Sequence, residues 1–441
     1  MSANAAAIPK LGIQRAVTSV VSAALAPLLA GISAPVLIFL VALAAMLFRS
    51  PALKAFPLDR VAFFVLISIF ALRFCLRRER LEAYPATWPL LGLTLLAFWG
   101  VLKESNVVEA WSVLAAKWIV PVVLFHVAGS VFRDQSSLRK LEFFSVAALS
   151  YLTLVSVLFL FDAKSLIFPR FILDESIGIH ADRARGPFLQ AVANGVCLNI
   201  LGLIALDSFR RRVLPGILAA MLCVTVPLAL LATRTRAVWL SAGLSIILLA
   251  SFGPDRRVRR PALAIFVMAA VALGSLLVYD GNTTALRDRL WDRSPVDFRL
   301  EMYQAGWQMF TEKPILGWGS ETDIQPEIEK RISAFHPERY LLHNSYLELA
   351  VERGVIGIGL YAWLMVCFFR LAREHSPGGE RHFVDGQFRK LWPFILGVYL
   401  LNASAVVMSY QFVNGFLFTL AGIMSAQDAS RSPVVPMRGK S

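Results

Sequence analysis

Apolar residues dominate the chain in long runs, which are separated by short polar or basic segments. A helix needs about 20 mostly apolar residues to cross the hydrocarbon core of a bilayer, and many of these runs approach that length. A membrane β-barrel would instead show a sustained alternation of apolar and polar positions, which the runs lack. The pattern therefore predicts an all-α fold, a polytopic transmembrane helical bundle. Its candidate spans lie near residues 16–48, 61–76, 88–102, 112–131, 143–161, 187–206, 213–232, 237–253, 261–279, 347–369, 391–409 and 411–426.

Composition supports the membrane interpretation, and the distribution of basic residues indicates membrane topology rather than nucleic-acid binding. Hydrophobic residues make up 57% of the chain and charged residues 17%, whereas a soluble domain has about 25% charged residues. The formal net charge is +14, but the basic residues form short clusters between apolar runs, so nucleic acid is not an expected partner. Because cytoplasmic loops are rich in Lys and Arg, the clusters predict the cytoplasmic side. They are Arg73/Arg77/Arg78/Arg80, Arg133/Arg139/Lys140, Arg210/Arg211/Arg212, Arg256/Arg257/Arg259/Arg260 and Arg370/Arg373/Arg381/Arg389/Lys390.

The loops between the basic clusters are then predicted to face the opposite side of the membrane. With a cytoplasmic N-terminus, residues 16–48 supply one full span and a shallow or re-entrant piece, which gives about twelve spans. Two full spans there would place the N-terminus outside, and twelve is the preferred number. The outward segments are 49–60, 103–110, 162–186, 233–236 and 280–346. The predicted divisions are a transmembrane bundle over 1–279, a periplasmic loop subdomain over 280–346, C-terminal spans over 347–429 and a cytoplasmic tail over 430–441.

The outer segment 280–346 resembles ordinary soluble sequence and is predicted to fold as helices against the membrane face. Ser294-Pro295 is typical of a helix N-cap followed by proline at the first helical position. Apolar residues follow at helical spacing. The helix should end near Lys313-Pro314, before a glycine-rich turn.

Two arginines interrupt an apolar stretch near the outer surface. Arg234 and Arg236 lie in the run from Val213 to Gly253, which two spans fill with almost no loop. A charge within the membrane costs roughly 2.5–3.5 kcal/mol on insertion scales, so such a residue usually has a function. Snorkelling toward lipid phosphates is the alternative. If the stretch is helical, the two side chains point about 200° apart and only one can face a given cavity.

Three more arginines are predicted to reach the same face. Arg183 and Arg185 lie at the end of the loop 162–186, where an ordinary interfacial position is the alternative, more so for Arg183. Arg299 lies on the predicted loop helix, where a solvated salt bridge to a neighbouring carboxylate is the alternative.

His343 lies where the outer loop re-enters the membrane, and acidic residues Glu348 and Glu352 follow on the next helix. A lone loop histidine is more often incidental than catalytic, but one at the membrane surface opposite several arginines is a stronger candidate. The other histidines do not provide metal-ligand spacing with it, so no metal site and no cofactor is predicted.

A set of short motifs extends over roughly residues 183–360. They are Thr235-Arg236-Ala237-Val238-Trp239-Leu240, Arg299, Gly306-Trp307, Pro314-Ile315-Leu316-Gly317-Trp318-Gly319, His343-Asn344-Ser345-Tyr346-Leu347, Glu352 and Gly354. Arg185-Gly186 and Asn194 precede them, with Ala193 where a proline is usual. In order, spacing and the long outer loop, the chain resembles the bacterial O-antigen ligase/polymerase family. Within that family it looks most like the ligase that completes lipopolysaccharide.

The resemblance implies a C-type glycosyltransferase-like fold and transfer of O-antigen glycan from undecaprenyl pyrophosphate to lipid A-core oligosaccharide. It further implies a multi-pass protein of the bacterial inner membrane with its active site on the periplasmic face. The implied partners are the lipid-linked donor, the lipid A-core acceptor and membrane lipids. An O-antigen polymerase or a protein O-oligosaccharyltransferase of the same family is the alternative.

The chemistry of the candidate residues agrees with this expectation. Arginine binds phosphate oxygens bidentately and stays charged, so Arg183, Arg185, Arg234, Arg236 and Arg299 are predicted to bind pyrophosphate, and Arg236 and Arg299 also to act in catalysis. His343 is predicted to be the general base, because an imidazole pKa of roughly 6.5 suits proton transfer near neutral pH. One base without a nominated nucleophile predicts single displacement with inversion. Fixed cations at the leaving group make a metal ion unnecessary.

A transporter or flippase of the lipid-linked sugar is the competing class. Such a protein should carry ionisable residues near the midplane of several spans and two related halves. The central spans are nearly free of charge apart from Lys117, and the polar candidates collect at one face. This distribution favours an enzyme.

Overall fold

The computed structural model describes residues 35–48, 57–76, 82–102, 107–253, 255–278, 294–319, 321–332, 342–373 and 383–431. Helices joined by turns and short loops account for these residues, none of which lies in a β-strand, so the predicted all-helical class is confirmed. The α-helices are α1 Pro35–Leu47, α2 Leu58–Cys75, α3 Thr87–Val101, α4 Val107–Leu114, α5 Val120–Val131, α6 Gln135–Leu160, α7 Ala191–Arg210, α8 Gly216–Ala232, α9 Arg236–Phe252, α10 Arg256–Val278, α11 Ser294–Glu312, α12 Glu321–Glu329, α13 Ser345–Arg370, α14 Gly386–Ala403 and α15 Gln411–Arg431. A π-helical turn, Ala115–Ile119, joins α4 to α5.

Several helices have the length and composition of membrane spans. In the described part of the chain, four qualify by length and apolarity: Ala110–Val131, Gln135–Leu160, Ala191–Arg210 and Ser345–Arg370. The shorter apolar helices α1, α3, α8 and α9 also coincide with predicted spans. The total of about twelve spans stays a prediction. Residues 16–34, on which the N-terminal topology depends, lie outside the described residues.

The central helix of the bundle is α7, and 83% of its apolar window is buried. Small residues let its neighbours approach closely: a Cβ at Gly195 would lie 2.5 Å from the side chain of Val238 on α9. Between α5 and α15, a Cβ at Gly422 would lie 1.9 Å from the carbonyl oxygen of Phe125. Van der Waals packing of this kind holds helices together in a membrane, where lipid tails are as apolar as leucine. Helices α6, α8, α9 and α14 pack around α7 in this way.

Helix α13 breaks at Gly354, whose φ of 61° and ψ of −161° are unfavourable for residues with a Cβ. The break frees the carbonyls of Val351 and Glu352, which accept hydrogen bonds of 2.8 and 3.2 Å from the backbone of the turn at 314–319. In return, the N–H of Val355 donates to the same turn at 2.8 Å. The predicted span 347–369 is therefore not one continuous helix, because the turn after α11 forms backbone hydrogen bonds with α13 at the break.

The described part of the outer segment folds as helices, as predicted. Helix α11 begins at Ser294 and ends at Glu312, within a residue of the predicted limits. Together with α12 it covers a small hydrophobic core that includes Val351 of α13. Residues 280–293, 320 and 333–341 of this segment lie outside the described part. The buried members of the core are Met302, Met309, Ile324, Ile328, Leu342 and Val351.

At the opposite end of the bundle, a buried ion network joins three helices. Arg210 lies 2.7 Å from Asp207 and 2.9 Å from Asp385 at the start of α14. Arg211 pairs with Asp207 at 2.8 Å and with Glu142 of α6. Removing one member would leave a buried charge without its partner, which is strongly destabilising. These two arginines of the third basic cluster therefore hold the fold together in addition to marking one face.

Labelling of single cysteines tests the two faces. In a background that lacks Cys75, Cys197, Cys223 and Cys367, Ser176→Cys is expected to react with a membrane-impermeant maleimide in spheroplasts, whereas Ser136→Cys is not. Both serines are exposed, so side-chain burial does not distinguish them: Ser136 lies in the first turn of α6, and Ser176 lies in the loop beyond its other end. Reaction of both or of Ser136→Cys alone would contradict the predicted orientation.

Candidate functional site

His343 is held at the entrance to α13 by the residues that follow it. Asn344 is the N-cap, and its side chain accepts hydrogen bonds from the N–H groups of Tyr346 and Leu347. The Ser345 hydroxyl donates to the carbonyl of Val406 at 2.9 Å, in the loop after α14. The His343 backbone is left-handed, with φ of 49°, a conformation that non-glycine residues adopt rarely and mostly where surrounding contacts enforce it. The motif after His343 thus fixes the position of the imidazole.

The environment of His343 keeps its imidazole neutral. The ring lies 6.0 Å from that of Phe298 on α11. Burial, the positive charge of Arg299 and the neighbouring His180 lower the pKa of His343 to about 4. Because protonation is favoured only below that pH, the imidazole is uncharged at neutral pH and can accept a proton. Tyr303 also reaches this point, with its hydroxyl 3.4 Å from the His343 carbonyl.

Arg299 lies on α11, near enough to His343 to act on it electrostatically. Its side chain is half-buried, and it makes no ion pair with Asp297 or Glu301, the two described carboxylates nearest to it in sequence. A salt bridge to one of these helix neighbours was the alternative to a functional role for Arg299, and it is not formed. The structure thus places a guanidinium close enough to His343 to repel its proton.

Arg234 and Arg236 lie at the turn between α8 and α9. Arg234 has a left-handed backbone, with φ of 48°, and Arg236 is the first residue of α9. The two residues therefore do not share one helix. The expectation that their side chains point about 200° apart, which holds only within a helix, does not apply to them. Thr235 is the N-cap residue of α9, but its side chain accepts no hydrogen bond from the helix. Its hydroxyl donates instead to the Thr233 carbonyl at 2.9 Å. Two half-buried guanidinium groups thus accompany a helix N-terminus, which attracts anions through its free N–H groups and dipole.

Arg185 is turned into the outer loop, and only 2% of it is exposed. Its guanidinium donates to the carbonyl oxygens of Ile172 at 3.0 Å, Ile177 at 2.6 Å and Asp174. Asn194 of α7 holds the same region by donating to the Ala184 carbonyl at 2.9 Å. This geometry favours a role in shaping the loop over direct contact with a pyrophosphate.

Replacement of Arg185 by alanine is expected to loosen the loop 162–186. Three hydrogen bonds from a charged donor are lost, each worth about 1.5–3 kcal/mol, so limited proteolysis within the loop should accelerate by about tenfold or more. Arg183→Ala is the matched control, because Arg183 lies beside Asp182, with an Nε–Oδ2 distance of 3.7 Å, rather than against those carbonyls. An unchanged cleavage rate in Arg185→Ala would show that the loop does not depend on this side chain.

Lys117 belongs to a charged cluster that the sequence did not reveal. It lies on the π-helical turn, and its Nζ is 3.1 Å from Glu348 Oε1 and 3.5 Å from Glu352 Oε1. The two carboxylates are one turn apart on α13 and face the same lysine. π-helical turns are frequent at functional sites. The helical spacing of Glu348 and Glu352 was the available signal, but their partner is more than 200 residues away in sequence.

The structure brings the candidate residues into two groups. Arg299 and His180 both act electrostatically on His343. The loop segment that carries Arg183 and Arg185 is joined to the end of α8 by a 3.0 Å hydrogen bond from Ala184 N–H to the Ala232 carbonyl, beside the turn of Arg234 and Arg236. His180 and Arg183 belong to the same loop, which therefore connects the two groups. Among the described residues, no three potential metal ligands come together.

Comparison with known proteins identifies the central part of the chain. The model of the O-antigen ligase family matches residues 221–362, from within α8 to within α13. Arg234, Arg236, Arg299 and His343 lie inside the match, whereas Arg183, Arg185 and Lys117 lie outside it. Over these residues the resemblance inferred from the motifs is confirmed, and it supports in general terms an enzyme of the O-antigen ligase/polymerase type with lipid-linked glycan substrates. A search of curated proteins gives no match.

Proposed function

Because residues 221–362 carry the domain of the O-antigen ligase family, we propose that the protein transfers O-antigen glycan from undecaprenyl pyrophosphate to lipid A-core oligosaccharide. The reaction takes place on the periplasmic face of the inner membrane, in a bundle of about twelve spans that resembles C-type glycosyltransferases. An O-antigen polymerase or a protein O-oligosaccharyltransferase differs from this proposal in the acceptor. A lipid-linked sugar flippase differs in making no glycosidic bond.

The observation that carries the proposal is a neutral imidazole held beside a guanidinium at the outer end of a broken helix. His343, with its pKa near 4, and Arg299 lie where α11 packs against α13. This is where a hydrophilic acceptor from the aqueous side and a donor anchored in the bilayer can meet. A base and an anion-binding cation are the two groups that displacement of a lipid pyrophosphate requires.

In the proposed step, the acceptor hydroxyl oxygen attacks the anomeric carbon of the glycan. The bond from that carbon to the pyrophosphate oxygen breaks, and the electron pair stays on undecaprenyl pyrophosphate. His343 accepts the proton of the attacking hydroxyl. A pKa of about 4 describes the substrate-free site; the negative pyrophosphate offsets the repulsion from Arg299 and raises the basicity of the imidazole when the donor binds. Single displacement inverts the anomeric configuration.

The leaving pyrophosphate is stabilised by arginines from different helices. Arg299 comes from α11 and Arg236 from the first position of α9, where the helix N-terminus adds partial positive charge. Arg183 and Arg234 are auxiliary ligands in this arrangement, and we assign Arg185 to the structure of the loop. Fixed guanidinium groups neutralise the developing charge, so the step needs no metal ion.

A transfer assay with purified protein tests the proposal. With undecaprenyl-pyrophosphate-linked glycan and rough lipopolysaccharide, we expect glycan-extended lipopolysaccharide, inverted linkage stereochemistry and no loss of activity in the presence of a chelator. Without lipopolysaccharide, longer lipid-linked glycans would assign a polymerase instead. Glycan transfer to protein alone would assign an oligosaccharyltransferase, and donor movement across vesicles without a new glycosidic bond would assign a flippase.

A further inference from the structure

A large cavity lies at the end of the bundle opposite the candidate site. It has a volume of about 1100 Å³ and is bounded by α1, the end of α2, the turn between α5 and α6, and the first turns of α6. Helix α6 separates it from the outer loop 162–186, since the helix begins beside the cavity and ends just before that loop. Its 26 residues span about 39 Å at 1.5 Å per residue. The cavity therefore opens at the other face of the membrane.

One part of the cavity wall is strongly basic. Arg73 of α2, Arg133 of the turn, and Arg139 and Lys140 of α6 line it, with Asp134 as the carboxylate among the lining residues. Asp134 is partly engaged, because its side chain caps α6 by accepting from the Ser137 N–H at 3.0 Å. Short basic clusters in separate loops are enough to orient a protein in the membrane. Four cations from three segments around one cavity exceed that requirement.

Other basic residues of the same face are used differently. Arg210 and Arg211 are buried in ion pairs with carboxylates, and Arg389 lies 2.8 Å from Asp428 with 1% of its side chain exposed. By contrast, Arg139 and Lys140 are exposed at the cavity rim. Within the part of the chain that the structure describes, their charge faces this cavity.

Apart from Ser130, Ser136 and Ser137, the rest of the wall is apolar. Leu37 and Leu40 of α1 and Phe143 and Ala147 of α6 line it. Leu37 and Phe143 are also widely exposed, 63% and 76%, on the bundle surface that contacts lipid. The cavity thus has a cationic end at the membrane boundary and apolar sides that continue along the helices, as a phospholipid headgroup and its acyl chains require.

We propose that this cavity binds an anionic phospholipid with two phosphates in its headgroup, of the cardiolipin class. Two phosphates match four cations that surround a single space, and basic pockets between transmembrane helices on this side are known to hold such headgroups. The cavity also exceeds the roughly 300–1,000 Å³ of ordinary small-molecule sites. The site is separate from the glycan-transfer site and does not depend on the function assigned to it.

Native mass spectrometry of the full-length protein, titrated with cardiolipin, phosphatidylglycerol or phosphatidylethanolamine, tests the proposal. Wild type should retain one cardiolipin in preference to the other two lipids. The variant Arg139→Gln with Lys140→Gln should bind it about 30-fold more weakly, because each cation near an anionic headgroup contributes on the order of a fivefold factor. Both residues are exposed, so the replacement leaves the packing intact.

Two further variants make the result decisive. Arg256→Gln with Arg260→Gln removes the same charge from exposed positions of α10 that do not line the cavity, and it should bind cardiolipin like wild type. Ala147→Trp fills the apolar part without changing charge and should weaken binding. Equal weakening by both double variants, or equal binding of phosphatidylglycerol and cardiolipin, would overturn the proposal.

Discussion

Purified protein with His343→Ala is expected to transfer glycan about 10²–10⁴-fold more slowly than wild type while it still binds the lipid-linked donor. The substitution removes the proposed base but leaves the arginines that hold the pyrophosphate. It should also leave the fold intact, because Asn344 caps α13 and Ser345 bonds the loop after α14 without help from the imidazole. Transfer rate and donor affinity are measured on the same preparation.

A second histidine provides the matched control. His180 lies close enough to affect the His343 pKa, but it is exposed on the loop. His180→Ala should therefore keep the transfer rate within a few-fold of wild type. A His343→Ala protein that retains more than roughly a tenth of the wild-type rate would remove His343 from the base role. Loss of donor binding together with transfer would instead make it a pyrophosphate ligand.

The pH profile of kcat/KM gives an independent measure of the same residue. Because the pKa of His343 is lowered to about 4 in the free protein, the base is already deprotonated at pH 5.5. Activity should therefore be nearly flat from about pH 5.5 to 8 and fall only in more acidic solution. A decrease centred near pH 6.5 would indicate an unperturbed histidine, and a rise toward acidic pH would indicate that the protonated form acts.

The sequence predicted those features that arise from local pattern. The apolar runs predicted helices, and Ser294-Pro295 predicted the start of α11, because capping and hydrophobic spacing act within a few residues. The break at Gly354 was missed, because the groups that fill it belong to a turn some 35 residues earlier in the chain. A glycine within an apolar run does not by itself reveal which segment will pack against it.

For charged residues, too, the sequence does not show which distant segments a side chain will contact. Arg185 looks in sequence like any other arginine beside an apolar run, but its guanidinium is held by loop carbonyls. Lys117 was noted only as an isolated charge, although it is paired with two carboxylates of α13. Sequence identifies which side chains can bind an anion; only the fold shows which of them are already engaged.

Replacement of Arg299 by methionine is expected to affect catalysis in two separable ways. Loss of a fixed cation at the leaving pyrophosphate should lower kcat/KM by about 10²–10³-fold. The same substitution removes a positive charge that lowers the His343 pKa, so that pKa should rise and the acidic limb of the pH profile should move to higher pH. Arg299→Lys should keep the pH profile close to wild type, because the charge is retained, but transfer should remain strongly reduced without the bidentate fork.

This pairing of effects distinguishes a role in the site from a role in the fold. A merely destabilising substitution would lower activity without moving the pH profile toward that of an ordinary histidine. Lys330→Met is the control within the same subdomain: it removes an exposed positive charge, directly after α12, that pairs with Glu327, and it should change neither rate nor profile appreciably. If Arg299→Met lowers the rate but leaves the acidic limb in place, the guanidinium does not act on His343. If neither quantity changes, Arg299 is not part of the site.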